Sequence, residues 1–210
     1  MDAAPDHDHD ATLVAACFAQ IAARGWTRLS IPVAARDAGI PLDAARRLIP
    51  DRFSLLMHFG ALADAHALKD APPEGNAHDR LFDVTMRRID FLQAHRDGVI
   101  VLLQAVPFDP LAATLLVATT LRSMGWLLAA AGIEATGARG GLRAAGMMGV
   151  WGWTVRPWQR DTSDDLAATM AALDDALRRA ESADGWLAGG RRVESNVETP
   201  PGDVPFTAQE

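Results

Sequence analysis

Ser-Ile-Pro-Val-Ala-Ala-Arg-Asp-Ala-Gly, residues 30–39, runs into Ile-Pro-Leu-Asp-Ala-Ala-Arg-Arg-Leu-Ile-Pro-Asp-Arg, residues 40–52. Ser30 is a good helix N-cap, and Pro32 falls in the first turn, where its missing N–H costs nothing. Ala34, Ala35 and Ala38 are small enough for two helices to cross closely. Gly39 supplies the left-handed residue that stops the first helix, Pro41 can start the next, and Asp51 caps a third. This is the outline of a helix-turn-helix, a unit that sets a helix into a DNA major groove. A plain helical hairpin has the same outline, and the stretch alone leaves both open.

The rest of the chain narrows the choice. Its 210 residues, 49% hydrophobic, suffice for one good core or two small ones. The single cysteine, Cys17, excludes an intrachain disulfide framework and a multi-cysteine metal site. It sits in an apolar helical pattern and is expected to be a buried, inert thiol. Asp2, Asp6, Asp8 and Asp10 give the first ten residues none of the form of a signal peptide. The apolar runs Leu111–Leu121 and Met124–Ile133 are stopped by Arg122 and Glu134, short of the roughly 20 residues a membrane span needs. A cytoplasmic, soluble protein with no stable membrane insertion is expected. The net charge of −7 argues against indiscriminate coating of nucleic acid. Residues 11–60, however, hold six arginines against three aspartates, a local +3, which leaves −10 for the remainder. A basic head on an acidic body suits a local phosphate contact.

Strand signals are nearly absent, and the periodicity predicts roughly nine helices and an all-α fold. Residues 1–10 read as a disordered tail. Ala11–Gly25 is an apolar helix, and the two short helices follow it. Asp51 then opens a long helix with Leu55, Leu56, Phe59, Leu62 and Ala63 as its buried stripe. The linker 71–76 separates a head, 11–70, from a body, 76–187. In the body, Asn76 caps a helix running to about Arg96, with Phe82, Met86, Ile89 and Leu92 inward. Helices Val99–Val106 and Pro110–Gly132 come next. Residues 137–141 read as a loop or a weak helix start before Leu142–Trp158, which must end or kink near Pro157. Ser163 caps the last helix, and residues 191–210 are polar, without a periodic stripe, and expected to be disordered.

In this order the elements of residues 11–67 resemble the DNA-binding domain of TetR-type transcriptional regulators. The family pattern is Thr, three residues, Ile-Ala, two residues, Ala-Gly, then a recognition helix closed by Pro-Ser-Lys and two leucines. Here Ser30, Ala34-Ala35, Ala38-Gly39, Pro50-Asp51-Arg52 and Leu55-Leu56 match it without a gap. The resemblance implies a homodimer whose first three helices bind an operator, with a helical bundle that holds a small ligand and dimerises through its last two helices. Arg46 replaces the family's usual recognition-helix Tyr, Leu42 its common Lys and Asp43 its common Gly, while Arg52 keeps the positive charge of a phosphate-binding Lys. On a helix starting at Pro41, residues 42, 43, 46 and 47 face outward and Ala45, Leu48 and Ile49 inward. Expected DNA-binding residues are Arg28, Ser30, Pro41, Leu42, Asp43, Arg46, Arg47 and Arg52. Arg46 or Arg47 could also read a guanine edge.

Residues 80–90 and especially 158–174, with Asp161, Ser163, Asp165, Thr169 and Leu173-Asp174 at their spacing, resemble the coenzyme Q biosynthesis accessory proteins. That resemblance implies an alternative: a TetR fold that has given up DNA binding and holds an isoprenoid or other lipid. A purely structural dimeric adaptor is a third possibility.

Catalytic chemistry is not legible. The six histidines, 7, 9, 58, 66, 78 and 95, have no ligand spacing for a metal, and His66 reads as a core-edge histidine. There is no phosphate loop and no nucleophile–His–Asp arrangement, so neither an enzyme nor a cofactor is expected. Packed as in the family, Phe91, Leu103, Trp126, Met147, Met148, Trp151 and Trp158 would line an apolar pocket, Met adaptable and Trp rigid, for an apolar ligand. An ordinary core accounts for any one of them equally. Leu166, Met170, Leu173 and Leu177, flanked by alanines, make a coiled-coil-like seam expected to form the dimer interface.

Overall fold

Gly39 takes a φ of 69° and ends the first short helix. Ile40 N donates to Ala35 O at 2.8 Å across that turn, which brings the next helix back over the small alanines. The computed structural model describes residues 4–69 and 74–184, and all regular structure among them is helical. The helices are α1 (Ala4–Arg24), α2 (Ile31–Asp37), α3 (Leu42–Leu48), α4 (Arg52–Leu68), α5 (Ala77–Gln93), α6 (Arg96–Ala105), α7 (Pro110–Ala130), α8 (Gly137–Trp158) and α9 (Ala167–Asp184). Short 3₁₀ turns lie at Trp26–Arg28 and Val106–Phe108.

The caps act as their chemistry suggests, with one exception. Asp51 accepts from the backbone N–H groups of Phe53 and Ser54, each at 2.8 Å, and Asn76 forms a capping box with Asp79. Ser30 stands at the N-cap of α2, but its hydroxyl makes no cap bond. Its backbone N–H donates instead to Gln20 Oε1 of α1 at 2.5 Å.

Several boundaries differ from the sequence reading. α1 begins at Ala4, within the stretch read as a tail; acidic residues near a helix N-terminus favour the macrodipole, and Asp10 pairs with His58 of α4. α8 begins at Gly137 rather than Leu142. Gly140 is buried there, and a Cβ on it would lie 2.1 Å from the Ala135 carbonyl carbon, so the glycines serve close packing at a helix start. α9 begins at Ala167, after Leu166 in the left-handed region at φ 52°. Asp161 organises this start. Its Oδ2 accepts from Thr169 N and Thr169 Oγ1, both at 2.8 Å, and its Oδ1 accepts from Ser163 N and Ser163 Oγ. Those bonds hold its carboxyl well below the usual range. The Asp161, Ser163, Thr169 spacing is thus a clasp that starts a helix. The C-terminal stretch 191–210 lies outside the described residues.

Two apolar clusters form the core. The first joins α1–α4 to Ile89, Leu92, Val99, Leu102, Val155 and Trp158, so it runs across the division at 71–76. The second gathers Leu81, Val84, Met124, Leu127, Met147, Leu173 and Leu177 from α5, α7, α8 and α9. Cys17 is buried in the first, and burial pushes its thiol up to about 12. His66 corrects the sequence reading: it is exposed on α4, with its ring 5.7 Å from that of Phe91. α7 corrects another, because Arg122 is its only charge and the helix is long and apolar enough to cross a membrane by length and composition. Met124, Leu127 and Leu128 of α7 lie fully inside the bundle.

The α9 seam is also corrected. Leu166, Leu173 and Leu177 are buried within the protomer against the other body helices, and Met170 is half-buried. The seam's apolar surface is already covered by its own chain, so these leucines are not available to a partner.

Candidate nucleic-acid interface and interior polar cluster

α3 projects from the head as its sequence requires. Ala44 and Ala45 are buried against α2, whereas Leu42, Asp43, Arg46 and Arg47 are exposed. Arg46 Nη1 donates to Pro50 O at 2.8 Å. Arg47 Nη1 lies 2.8 Å from Asp43 Oδ2, in a pair whose side chains are 67% and 73% exposed. The Arg47 bond holds the Asp43 carboxyl below its ordinary value. An exposed pair of this kind is screened by water and salt, so a phosphate can compete for Arg47 at little cost. Arg28 and Pro41 are also exposed, and Ser30 is half-buried.

Arg52 is placed differently. Its guanidinium lies over the rings of Trp26 and Phe53, at 5.5 and 4.7 Å, and 3.3 Å from Asp109 Oδ2. Trp26 Nε1 donates to that same oxygen at 3.1 Å, while Asp109 Oδ1 caps α7 by accepting from Ala112 N. These bonds keep the Asp109 carboxyl below its ordinary value. Asp109 is therefore a junction between the head and the first turn of α7, and it holds the arginine expected at phosphate. A second junction is aromatic. Phe59 of α4 stacks on Phe18 at 4.2 Å and on Phe91 at 5.2 Å, and His95 contacts all three rings. Burial there lowers the His95 pKa.

The seven expected pocket residues do not surround one space. Met147 and Trp158 are fully buried, in different clusters. Trp158 donates to Gln93 Oε1 at 2.9 Å. Phe91, Leu103, Met148 and Trp151 are half-buried. Trp126 is 59% exposed and faces a groove of about 260 Å³ between α4 and α7, which Met57, Ala61, Asp64, Leu68 and Ser123 also line. Beside that groove is a cluster that the sequence reading missed. Asp64 accepts the Ser123 hydroxyl at 2.7 Å and is ion-paired with Arg88, which is buried on α5. The missed signal was spacing: Leu81, Thr85, Arg88 and Leu92 recur at 4, 3 and 4, and all four are buried. Among the described residues no group of three metal-ligating side chains occurs.

Solved structures place this arrangement in a known fold. A TetR transcriptional regulator from Nitrosomonas europaea ATCC 19718 superposes with a TM-score of 0.65 at 19% identity, over 82% of this chain and 98% of its own. A TetR-family regulator from Streptomyces coelicolor gives 0.55 at 18% identity, covering 87% and 86%. One from a Rhodococcus species gives 0.54 at 16%, covering 81% and 99%. No protein-family pattern and no curated protein matches the chain. The resemblance to coenzyme Q accessory proteins is not shown by these comparisons. Helix order, the crossing of α2 and α3, and the superpositions agree: the chain has the all-helical fold of the TetR-family transcriptional regulators.

Proposed function

We propose that the protein is a cytoplasmic, homodimeric DNA-binding transcriptional regulator that responds to an apolar small molecule and carries no catalysis. The observation that supports this most directly is the exposed face of α3, with Arg46 and Arg47 in water beside a helix-turn-helix crossing. The likeness to solved regulators supports the same reading through the fold. Arg28, Arg46 and Arg47 would bind phosphates, and Arg52 would do so on leaving Asp109. Because α4 starts in the head at Arg52 and carries Asp64 into the body, a change around Asp64 reaches the head through one helix. Ligand would then shift the population of two head arrangements. The face open to a second copy is the outer side of α8, where Leu142 is 66% exposed, Trp153 is 48% exposed, and Gly146, Gly149 and Gly152 are exposed around them.

The test is fluorescence anisotropy of the full chain on DNA from upstream of its own gene as salt is raised. Specific binding should weaken steeply with salt. Arg46→Ala with Arg47→Ala should reduce the logarithmic salt slope by roughly two, one for each phosphate contact. If no sequence is preferred, or the double variant keeps the slope, the regulator reading fails. Lipid co-purifying in organic extracts, together with no preferred sequence, would favour the accessory-protein alternative.

A further inference from the structure

The hydroxyls buried on the body helices are not treated alike. Thr119, Ser123 and Thr154 each donate to the carbonyl one turn back, at 2.8, 3.1 and 2.9 Å. Thr85 of α5 is wholly buried, and its Oγ1 has no partner among the described residues. One turn further on, Arg88 is 5% exposed. Its Nη1 is paired with Asp64 and its guanidinium lies 5.2 Å from the Trp151 ring centre, but its Nε has no partner. Burial lowers the guanidinium to about 10, so it stays charged at neutral pH. Buried donors without acceptors are costly and uncommon, and each asks for an explanation. Two of them, one turn apart on one helix face, suit an acceptor supplied from outside the chain.

Charge accounting narrows what that acceptor is. Asp64 already balances Arg88, so a carboxylate ligand would bring an unmatched negative charge into the core. An ammonium would be set against Arg88 itself. What the cluster has spare is one N–H and one O–H, beside the flat face of Trp151. We propose that Thr85 and Arg88 anchor an apolar ligand through a neutral acceptor oxygen, such as a ketone, ester or amide carbonyl. The proposal rests on the reading of the protein as ligand-responsive and names the ligand's class. Asp64 is shared between this anchor and the groove walled by Met57, Leu68 and Trp126, so the ligand enters by parting α4 from α7 at Asp64.

The experiment titrates the full chain calorimetrically with two ketones, flat 2-acetylnaphthalene and linear 2-undecanone, and with 2-ethylnaphthalene, 2-naphthoate and 2-naphthylmethylammonium. At least one ketone should bind, about tenfold or more tighter than either charged naphthalene. Thr85→Val should weaken that ketone about tenfold, the worth of one good hydrogen bond. The variant should leave any binding of 2-ethylnaphthalene unchanged. It should also keep or raise the Tm, because it exchanges an unpaired buried hydroxyl for a methyl group. A fall in Tm, equal ketone binding by wild type and variant, tighter binding of a charged naphthalene, or no binding of either ketone would each overturn the proposal. Operator binding measured without any ligand is a separate readout. Its failure sinks the regulator reading and leaves the ketone result standing.

Discussion

Two helices carry regular stripes that invite a partner, and the structure treats them in opposite ways. Leu42, Asp43, Arg46 and Arg47 of α3 stand in water. Leu173 and Leu177 of α9, with Leu166 just before it, are closed inside their own protomer. Spacing says which residues share a face, and charge keeps the α3 face hydrated. For an apolar stripe, spacing demands burial without naming the surface that provides it, and the other helices of the same chain supply it first.

Truncating the seam makes the largest difference. Leu173→Ala removes a fully buried side chain and should cost about 2–5 kcal/mol of protomer stability. In urea its midpoint should fall by the same amount at every protein concentration. A shift that grows on dilution would return the seam to a subunit interface and break the comparison.

A glycine at a closed contact comes next. Gly98 of α6 is buried against α1, and a Cβ there would sit 2.4 Å from the Phe18 carbonyl oxygen. Backbone cannot yield as a flexible side chain does, so Gly98→Ala should cost about 1–3 kcal/mol. It should also loosen the packing of Phe18 against Phe59 and His95, which thermal unfolding and proton chemical shifts of these rings would report. A neutral substitution would mean that α1 and α6 are less tightly held than the α9 seam.

The head was legible because its signals are local: Gly39 makes its own turn, Asp51 its own cap, and two alanines fix the inward side of α3. The interior cluster was not, since Asp64, Arg88, Ser123 and Trp151 come from four helices and meet only when the bundle closes. Arg88 also looks like half of a surface Arg87-Arg88 pair unless its place between Leu81 and Leu92 is weighed. Arg52 shows the same limit in the head. Its position predicts a phosphate contact, yet Asp109, 57 residues away in sequence, holds it. The clasp at Asp161 was visible as a pattern, but its meaning was a matter of hydrogen bonds to Ser163 and Thr169 that the pattern alone does not state.

The smallest effect on the fold belongs to the stripe that the chain leaves uncovered. Gly149, midway along α8, has nothing within 4 Å of where a Cβ would stand. A larger residue there meets no atom of the protomer and relieves a helix-interior glycine, a gain of about 0.5–1 kcal/mol. Gly149→Leu should therefore leave the protomer as stable as wild type or slightly more so. If the outer face of α8 meets a second copy, the same leucine must push the two helices apart, because glycines permit the closest helix approach. Sedimentation equilibrium should then show the variant as monomer at concentrations where the wild type is dimer, with helicity unchanged. A Gly149→Leu chain that remains dimeric would move the interface away from this face and leave α3 as the exposed stripe with a partner still to be found.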